Sequence, residues 1–127
     1  MRDVEEAFVA DMKAQSAIDS LVRQRVYAYE AGSGAIEPYI VVTNAGNPMS
    51  SFTQTAFGGD ARISIFCYGK DAAQSRAVGH RVWELYRQRT GMVDDVSVEW
   101  LEVSNARLLH GPGGEIRYLV DLIVHYT

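Results

Sequence analysis

A strict alternation of side chains over residues 116–126 constrains the fold of this chain more than any other feature. One side of the segment is apolar and consists of Ile116, Tyr118, Val120, Leu122, Val124 and Tyr126. The opposite side is mixed and consists of Arg117, Leu119, Asp121, Ile123 and His125. A period of two sustained over such a length predicts a strand with one buried face. The glycine-rich turn at 111–114 predicts that a preceding strand pairs with it as a long hairpin.

Residues 3–15 have the period of an amphipathic helix, in which Asp3 and Glu6 are placed to form a capping box. A short polar turn is expected to follow at Ser16–Ser20. Acidic residues occupy positions where a signal peptide is apolar, so we expect a chain that stays in the cytoplasm where it is made.

A longer helix is predicted over residues 71–90. Asp71 and Gln74 form a second capping pair, and Gly91 supplies the left-handed residue that often ends a helix. Gly79 lies inside this helix, where glycine costs about 1 kcal/mol relative to alanine. Its presence indicates that another part of the chain packs closely against the helix at that point.

Further strands are predicted at 25–29, 39–43, 62–68, 96–101 and 106–109. Val96, Val98 and Trp100 are expected to share one face, and a bulge or bend is expected at Ser104-Asn105. The order of elements predicts an α+β fold, a mainly antiparallel twisted sheet with two helices packed on one face. The length of 127 residues suits a single domain, 1–127.

No charged residue occurs within residues 38–59, and polar residues and glycines interrupt this stretch, so we do not expect it to span a membrane. Its later part, 44–59, is predicted to be a long loop, and long loops in compact domains are commonly functional. Met49, Phe52 and Phe57 in this loop are apolar anchors of the kind that contact other proteins. The alternative is that Phe52 and Phe57 pack back onto the sheet of their own domain.

The second side of the last strand carries Arg117, Leu119, Asp121 and Ile123, a mixture too apolar for a solvated face and too polar for a core. Such a face is typical of contact with another subunit. The alternative is an ordinary surface with two scattered apolar residues. His110, beside the glycine-rich turn, is expected to be exposed and is included among the candidate contact residues.

Charge is distributed unevenly along a chain whose formal net charge is −4. This acidic balance argues against a protein that binds by neutralising phosphates. Residues 3–13 contain four carboxylates and one lysine, whereas residues 71–90 contain four arginines and two carboxylates. The two predicted helices could pair within one chain, which we favour, or supply the unlike patches of a head-to-tail contact between copies.

Residues with catalytic potential do not form a recognised motif. His80, His110 and His125 lack the spacing of a metal site, and the chain's one cysteine, Cys67, excludes an internal disulfide. Cys67 lies in a predicted strand beside isoleucines and is expected to be an inert apolar residue. The pair Asp94-Asp95 is expected to make a turn. The sequence therefore predicts no catalytic, cofactor or metal site.

A small enzyme or ligand-binding domain is the alternative from a different functional class. It requires a pocket between the helix at 71–90 and the sheet, with a convergent cluster such as His80, Tyr68 and Asp121. Filling of this space by Trp83, Val82 and Leu85 would exclude it.

Five segments, in this order and spacing, match a known family: residues 22–27, 38–42, 61–68, 105–109 and 113–118. Together they resemble the tail-completion or tail-terminator proteins of long-tailed bacteriophages and gene transfer agents. The resemblance covers nearly the whole chain, and it rests on the succession of segments because each one alone is degenerate.

The resemblance implies a structural virion protein without enzymatic activity or cofactor. Such a subunit forms a hexameric ring on the head-proximal end of the tail tube, ends tube polymerisation and joins the tail to the head connector. The implied partners are further copies, the tail tube protein and a connector or stopper protein. DNA passes through the ring without specific binding, which the acidic balance fits. Another connector position, such as a stopper or joining protein, remains open, and assembly in the host cytoplasm is expected.

Overall fold

The computed structural model describes residues 3–45 and 59–127. In these residues it has three helices, which are α1 (Val4–Ala14), α2 (Ser16–Val22) and α3 (Ala72–Tyr86). It has six strands, which are β1 (Val26–Ala28), β2 (Tyr39–Asn44), β3 (Gly59–Gly69), β4 (Gly91–Val93), β5 (Val96–His110) and β6 (Ile116–Tyr126). The predicted contact residues Met49, Phe52 and Phe57 lie outside the described residues.

The strands form one sheet in the order β1-β2-β3-β6-β5-β4. Four neighbouring pairs are antiparallel, whereas β1 runs parallel to β2, so the sheet is mixed. Helix α1 contacts β1 and β2 near one edge of the sheet and β4 at the other edge. The sheet therefore curls around this helix as a half-barrel. The predicted α+β class is confirmed, and the predicted twisted sheet is corrected to a mixed, curled one.

The sequence predicts two helices, and the described residues contain three. Helix α2 begins at Ser16, where a polar turn was expected. Ile18 and Val22 lie one helical turn apart and are both buried in the core, so their burial outweighs the polar composition around them. Helix α3 ends at Tyr86, before the predicted end. Gly91 has the expected positive φ of 90°, but it begins β4 instead of ending the helix.

The two predicted helix caps have different outcomes. The Asp71 carboxylate accepts a hydrogen bond of 2.8 Å from the backbone N–H of Gln74, as predicted. The Gln74 side chain accepts in turn from the backbone N–H of Lys70, one residue before the expected partner. At α1 the predicted capping box is wrong, because Asp3 occupies the cap position without a side-chain hydrogen bond to the helix.

The two faces of the sheet have different surroundings. Inward side chains of the central strands share one core cluster with all three helices; they are Ile40, Val42, Ala61, Ile63, Ile65, Cys67, Val120, Leu122 and Val124. We call this side the inner face. The outer face carries the alternate residues, which include Tyr39, Val41, Phe66, Tyr68, Arg117, Leu119, Asp121, Ile123 and His125. The alternations predicted for 62–68 and 116–126 are confirmed.

Strand β5 does not keep the alternation that its sequence suggests. A register shift lies between Val98 and Trp100, and another lies between Val103 and Asn105. The first shift turns Leu101 inward, with 9% of its surface exposed, and leaves Trp100 49% exposed. The prediction that Trp100 shares the buried face of Val98 is therefore wrong, because a bulge adds one residue and reverses the side-chain direction. The second shift confirms the irregularity predicted at Ser104-Asn105.

Gly79 allows α3 to lie directly on the sheet, as the sequence predicts. A Cβ atom built at Gly79 would lie 2.9 Å from the Cβ of Tyr118 on β6 and closer still to its ring. These are the first atoms of the tyrosine side chain, which cannot move away without moving the strand. The close approach of α3 to β6 therefore depends on a residue without a side chain.

We expect Gly79→Ala to lower the free energy of unfolding by about 1–2 kcal/mol, although alanine favours helices, because overpacking costs about 1–3 kcal/mol. The matched test is the same change in a Tyr118→Ala background, where the obstructing ring is gone. There the substitution should become neutral or stabilising. Urea unfolding of the four proteins measures both effects, and an equal effect in the two backgrounds would contradict the assigned contact.

Candidate interaction surface

Aromatic rings and one arginine form a continuous layer on the outer face of the sheet. The Arg117 guanidinium lies 5.2 Å from the ring centre of Phe66 and 5.9 Å from that of Tyr68. It also donates a hydrogen bond of 3.3 Å to the Tyr68 hydroxyl. Tyr68 stacks on Tyr39 at 4.8 Å, and Tyr39 meets Tyr27 edge-on at 6.1 Å. Arg117, predicted as a contact residue, is thus held against this aromatic layer.

Two of the other predicted contact residues are largely buried within the chain itself. Leu119 is 7% exposed and Asp121 is 6% exposed. The Asp121 carboxylate accepts a hydrogen bond from the Ser64 hydroxyl and lies 3.5 Å from the Arg62 guanidinium. Leu119 and Asp121 therefore support the outer face from within and offer little area to a partner.

Ile123 and His110 are more accessible than those two residues. Ile123 is half-buried on the outer face, and His110 is exposed at the end of β5. Trp100 pairs with His125 across the strands and lies diagonally from Ile123, so the two apolar side chains share one part of the face. Sequence reasoning missed Trp100 as a surface residue. Its one signal is the adjacent pair Trp100-Leu101, since two successive large apolar residues of a strand point to opposite faces.

His125 lies in a small charged cluster beside Trp100. Its Nδ1 atom is hydrogen-bonded to the Asp60 carboxylate, and its Nε2 atom lies 3.5 Å from a Glu99 carboxylate oxygen. The hydrogen bond to Asp60 raises the pKa of His125 above its usual value. The neighbouring carboxylates of Asp60 and Glu99 therefore favour the positively charged form of His125.

The acidic residues of α1 are used partly inside the chain. Asp11 is buried and accepts a 2.7 Å hydrogen bond from the Tyr86 hydroxyl. Arg89 approaches the same carboxylate with both terminal nitrogens, at 2.7 and 3.2 Å, and one of them also donates to the carbonyl oxygen of Met92. The basic segment 71–90 and the acidic helix therefore pair within one chain, as favoured from the sequence.

Glu5 makes a second internal contact from α1. Its carboxylate accepts hydrogen bonds from the Tyr29 hydroxyl at 2.5 Å and from the Asn44 side chain at 3.3 Å. The bond to Glu5 raises the pKa of Tyr29 to about 12. Glu5 and Asp11 thus fix α1 to the segment after β1, to β2 and to the end of α3.

The residues of the enzyme alternative do not converge. His80 packs edge-on against Tyr118 with ring centres 5.6 Å apart, whereas Tyr68 and Asp121 lie on the opposite face of the sheet. Of the three side chains expected to fill the space above the inner face, Val82 lies in the core and Leu85 packs against it partly buried, together with Val78 and Tyr86. Trp83 instead lines an open pocket. This pocket, of about 250 Å³, remains beside α3, lined by His80, Trp83, Glu84, Ala106 and Tyr118.

Among residues 3–45 and 59–127, no group of three or more His, Cys, Asp or Glu side chains is arranged so that it could hold a metal ion. Burial raises the pKa of the Cys67 thiol, which agrees with the inert role predicted for it. None of the described helices is long and apolar enough to cross a membrane.

The fold and its surfaces define a small α+β domain that presents aromatic and charged groups opposite its helices. A family model described as Tail completion protein gp17 matches residues 6–125. Because this match spans nearly the whole chain, the chain belongs to the tail completion protein family. Membership gives it a structural role in a phage-type tail and a location in the tail of the virion.

The fold also occurs in a solved particle. A chain of the structure described as "Virion of native gene transfer agent (GTA) particle" superposes with a TM-score of 0.70 at 13% sequence identity. The alignment covers 97% of this chain and 93% of that chain. At this identity the likeness concerns the fold alone. No curated protein matches the sequence.

We expect Asp11→Asn to lower the free energy of unfolding by about 2–3 kcal/mol, because Arg89 and Tyr86 lose a charged, buried acceptor. The matched control is Glu84→Gln, since Glu84 pairs with Arg87 at 3.6 Å on an exposed surface. That change should cost less than about 0.5 kcal/mol. Chemical unfolding measures both, and equal effects would show that the Asp11 contact does not hold the helix.

Proposed function

We propose that this chain forms a ring, with six copies as the resemblance implies, at the head-proximal end of a phage-type tail tube. The ring ends polymerisation of the tube and joins the tail to the head connector. The observation that carries this proposal is the match of the tail completion family model to residues 6–125. The three residues named for the enzyme alternative are separated by the sheet, because His80 contacts Tyr118 on the inner face, whereas Tyr68 and Asp121 lie on the outer face.

The outer face is the surface that we assign to contacts with other proteins of the tail. Ile123 and the 49% exposed Trp100 supply accessible apolar area there. Arg117 adds a positive charge to the aromatic layer. His110 pairs with Ile116, which alternates with the outer-face residue Arg117, so we include His110 as a separate candidate contact at the end of β5. A specific contact needs on the order of 800 Å² per partner, so the proposal also includes Met49, Phe52 and Phe57. Leu119 and Asp121 act in this proposal by supporting the face from within.

The partners in this proposal are further copies, the tube protein and a connector or stopper protein. The net charge of −4 suits a ring through which DNA moves without specific binding, because an acidic surface repels phosphate. The proposed role requires no cofactor and no chemical step.

Tail tubes grown with and without the protein test this function. We expect the wild-type chain to appear as a ring on one end of the tubes in electron micrographs and to stop their growth. Deletion of residues 48–57, or Ile123→Asp, should leave a folded protein whose capping falls at least roughly tenfold, since burying an unpaired charge at a contact costs several kcal/mol.

Ile36→Asp is the control, because Ile36 is also exposed but lies outside the outer face, between β1 and β2. It should cap tubes as the wild type does. Tubes that grow past the wild-type protein would overturn the proposed function. Unimpaired capping by both variants would overturn the assignment of the outer face and of the 48–57 segment.

A further inference from the structure

A pocket of about 390 Å³ opens at the end of the outer face, next to the aromatic layer. Tyr39 and Val41 of β2, Tyr68 of β3 and residues 29–31 beyond β1 form most of its wall, and Glu115 closes it from the start of β6. The pocket thus combines stacked aromatic rings with two carboxylates, those of Glu30 and Glu115. Both carboxylates are exposed, and neither has an ion pair within residues 3–45 and 59–127.

This composition selects a cation of a particular shape. Aromatic faces attract a positive charge, and a planar guanidinium stacks on them better than a compact ammonium does. The carboxylates provide the opposite charge and accept hydrogen bonds from the N–H groups of the guanidinium. The outer face already contains one guanidinium bound in this way, because that of Arg117 lies against the rings of Phe66 and Tyr68. Tyr39 continues the layer, and no described cation lies over its ring.

Suitable guanidinium groups lie elsewhere on the same molecule. Arg76 and Arg81 are exposed on α3, and neither pairs with a carboxylate in the described part of the chain. Helix α3 packs on the inner face, whereas the pocket opens on the outer face. In this structure neither arginine forms an ion pair with Glu30 or Glu115 of its own copy. Two complementary features on different sides of one molecule are what a head-to-tail contact requires, and such contacts close into rings.

We propose that the pocket formed by Tyr39, Tyr68, Glu30 and Glu115 binds an arginine of α3, Arg76 or Arg81, from a second copy of this chain. This inference rests on the proposed ring and specifies one contact within it. The arginine stacks on the tyrosines and pairs with the two glutamates. Each copy then donates an arginine to one neighbour and receives one from the other.

Charge reversal on each side of the contact tests the proposal. One variant carries Glu30→Arg and Glu115→Arg, and the other carries Arg76→Glu and Arg81→Glu. A ring made of either variant alone brings like charges together at every contact, so tube capping should fall at least roughly tenfold. In an equal mixture, unlike charges meet at every contact if the two variants alternate around the ring. The mixture should therefore restore capping to within about twofold of the wild type.

The outcomes separate this contact from the proposed function. Thermal unfolding first verifies that both variants fold, and the single changes Arg76→Glu and Arg81→Glu identify which arginine enters the pocket. Reversal variants that cap tubes by themselves would overturn the contact while the capping role stands. Loss of capping without restoration in the mixture would also overturn it. Failure of the wild-type protein to cap tubes overturns the proposed function itself.

Discussion

The carboxylate of Asp11 is the contact on which the arrangement of the helices depends. It is buried, accepts the Tyr86 hydroxyl at the end of α3, and pairs with both terminal nitrogens of Arg89. Through this one group, α1 is fixed to the end of α3 and to the segment that leads into β4. Because α1 also contacts β1 and β2, the curled sheet is held closed on its inner side. The outer face then remains as the surface through which other proteins can be contacted.

The internal use of acidic groups also decides which charges are available for assembly. Glu5 and Asp11 are engaged within the chain, so α1 has fewer free carboxylates than its sequence suggests. Arg76 and Arg81 of α3 remain exposed. The molecule thus offers free guanidinium groups on the side of its helices and aromatic and acidic groups on the outer face. This asymmetry suits a subunit that meets its neighbours head to tail, with one surface of each copy contacting a different surface of the next.

The local patterns of the sequence predict those parts of the fold that depend on local burial. The alternation in β3 and β6 follows from one buried face. Gly79 indicates a close approach to α3, and the structure identifies Tyr118 as the residue that makes it. The orientation of Trp100 could not be predicted, because the bulge before it is set by the register with β6. The Asp11–Arg89 pair joins residues far apart in the chain, so the net charges of the segments predict attraction but not the partners. The tyrosine and glutamate pocket is assembled from four separate segments, and no local pattern indicates it.

Electron cryomicroscopy of this protein bound to tail tubes would show whether the outer face of the sheet is the contact surface. We expect a ring of copies at one end of the tube, with Trp100, Ile123 and Arg117 covered by neighbouring protein and the inner face still packed on its own helices. A ring that leaves these three side chains in solvent, or copies bound singly along the tube wall, would contradict it.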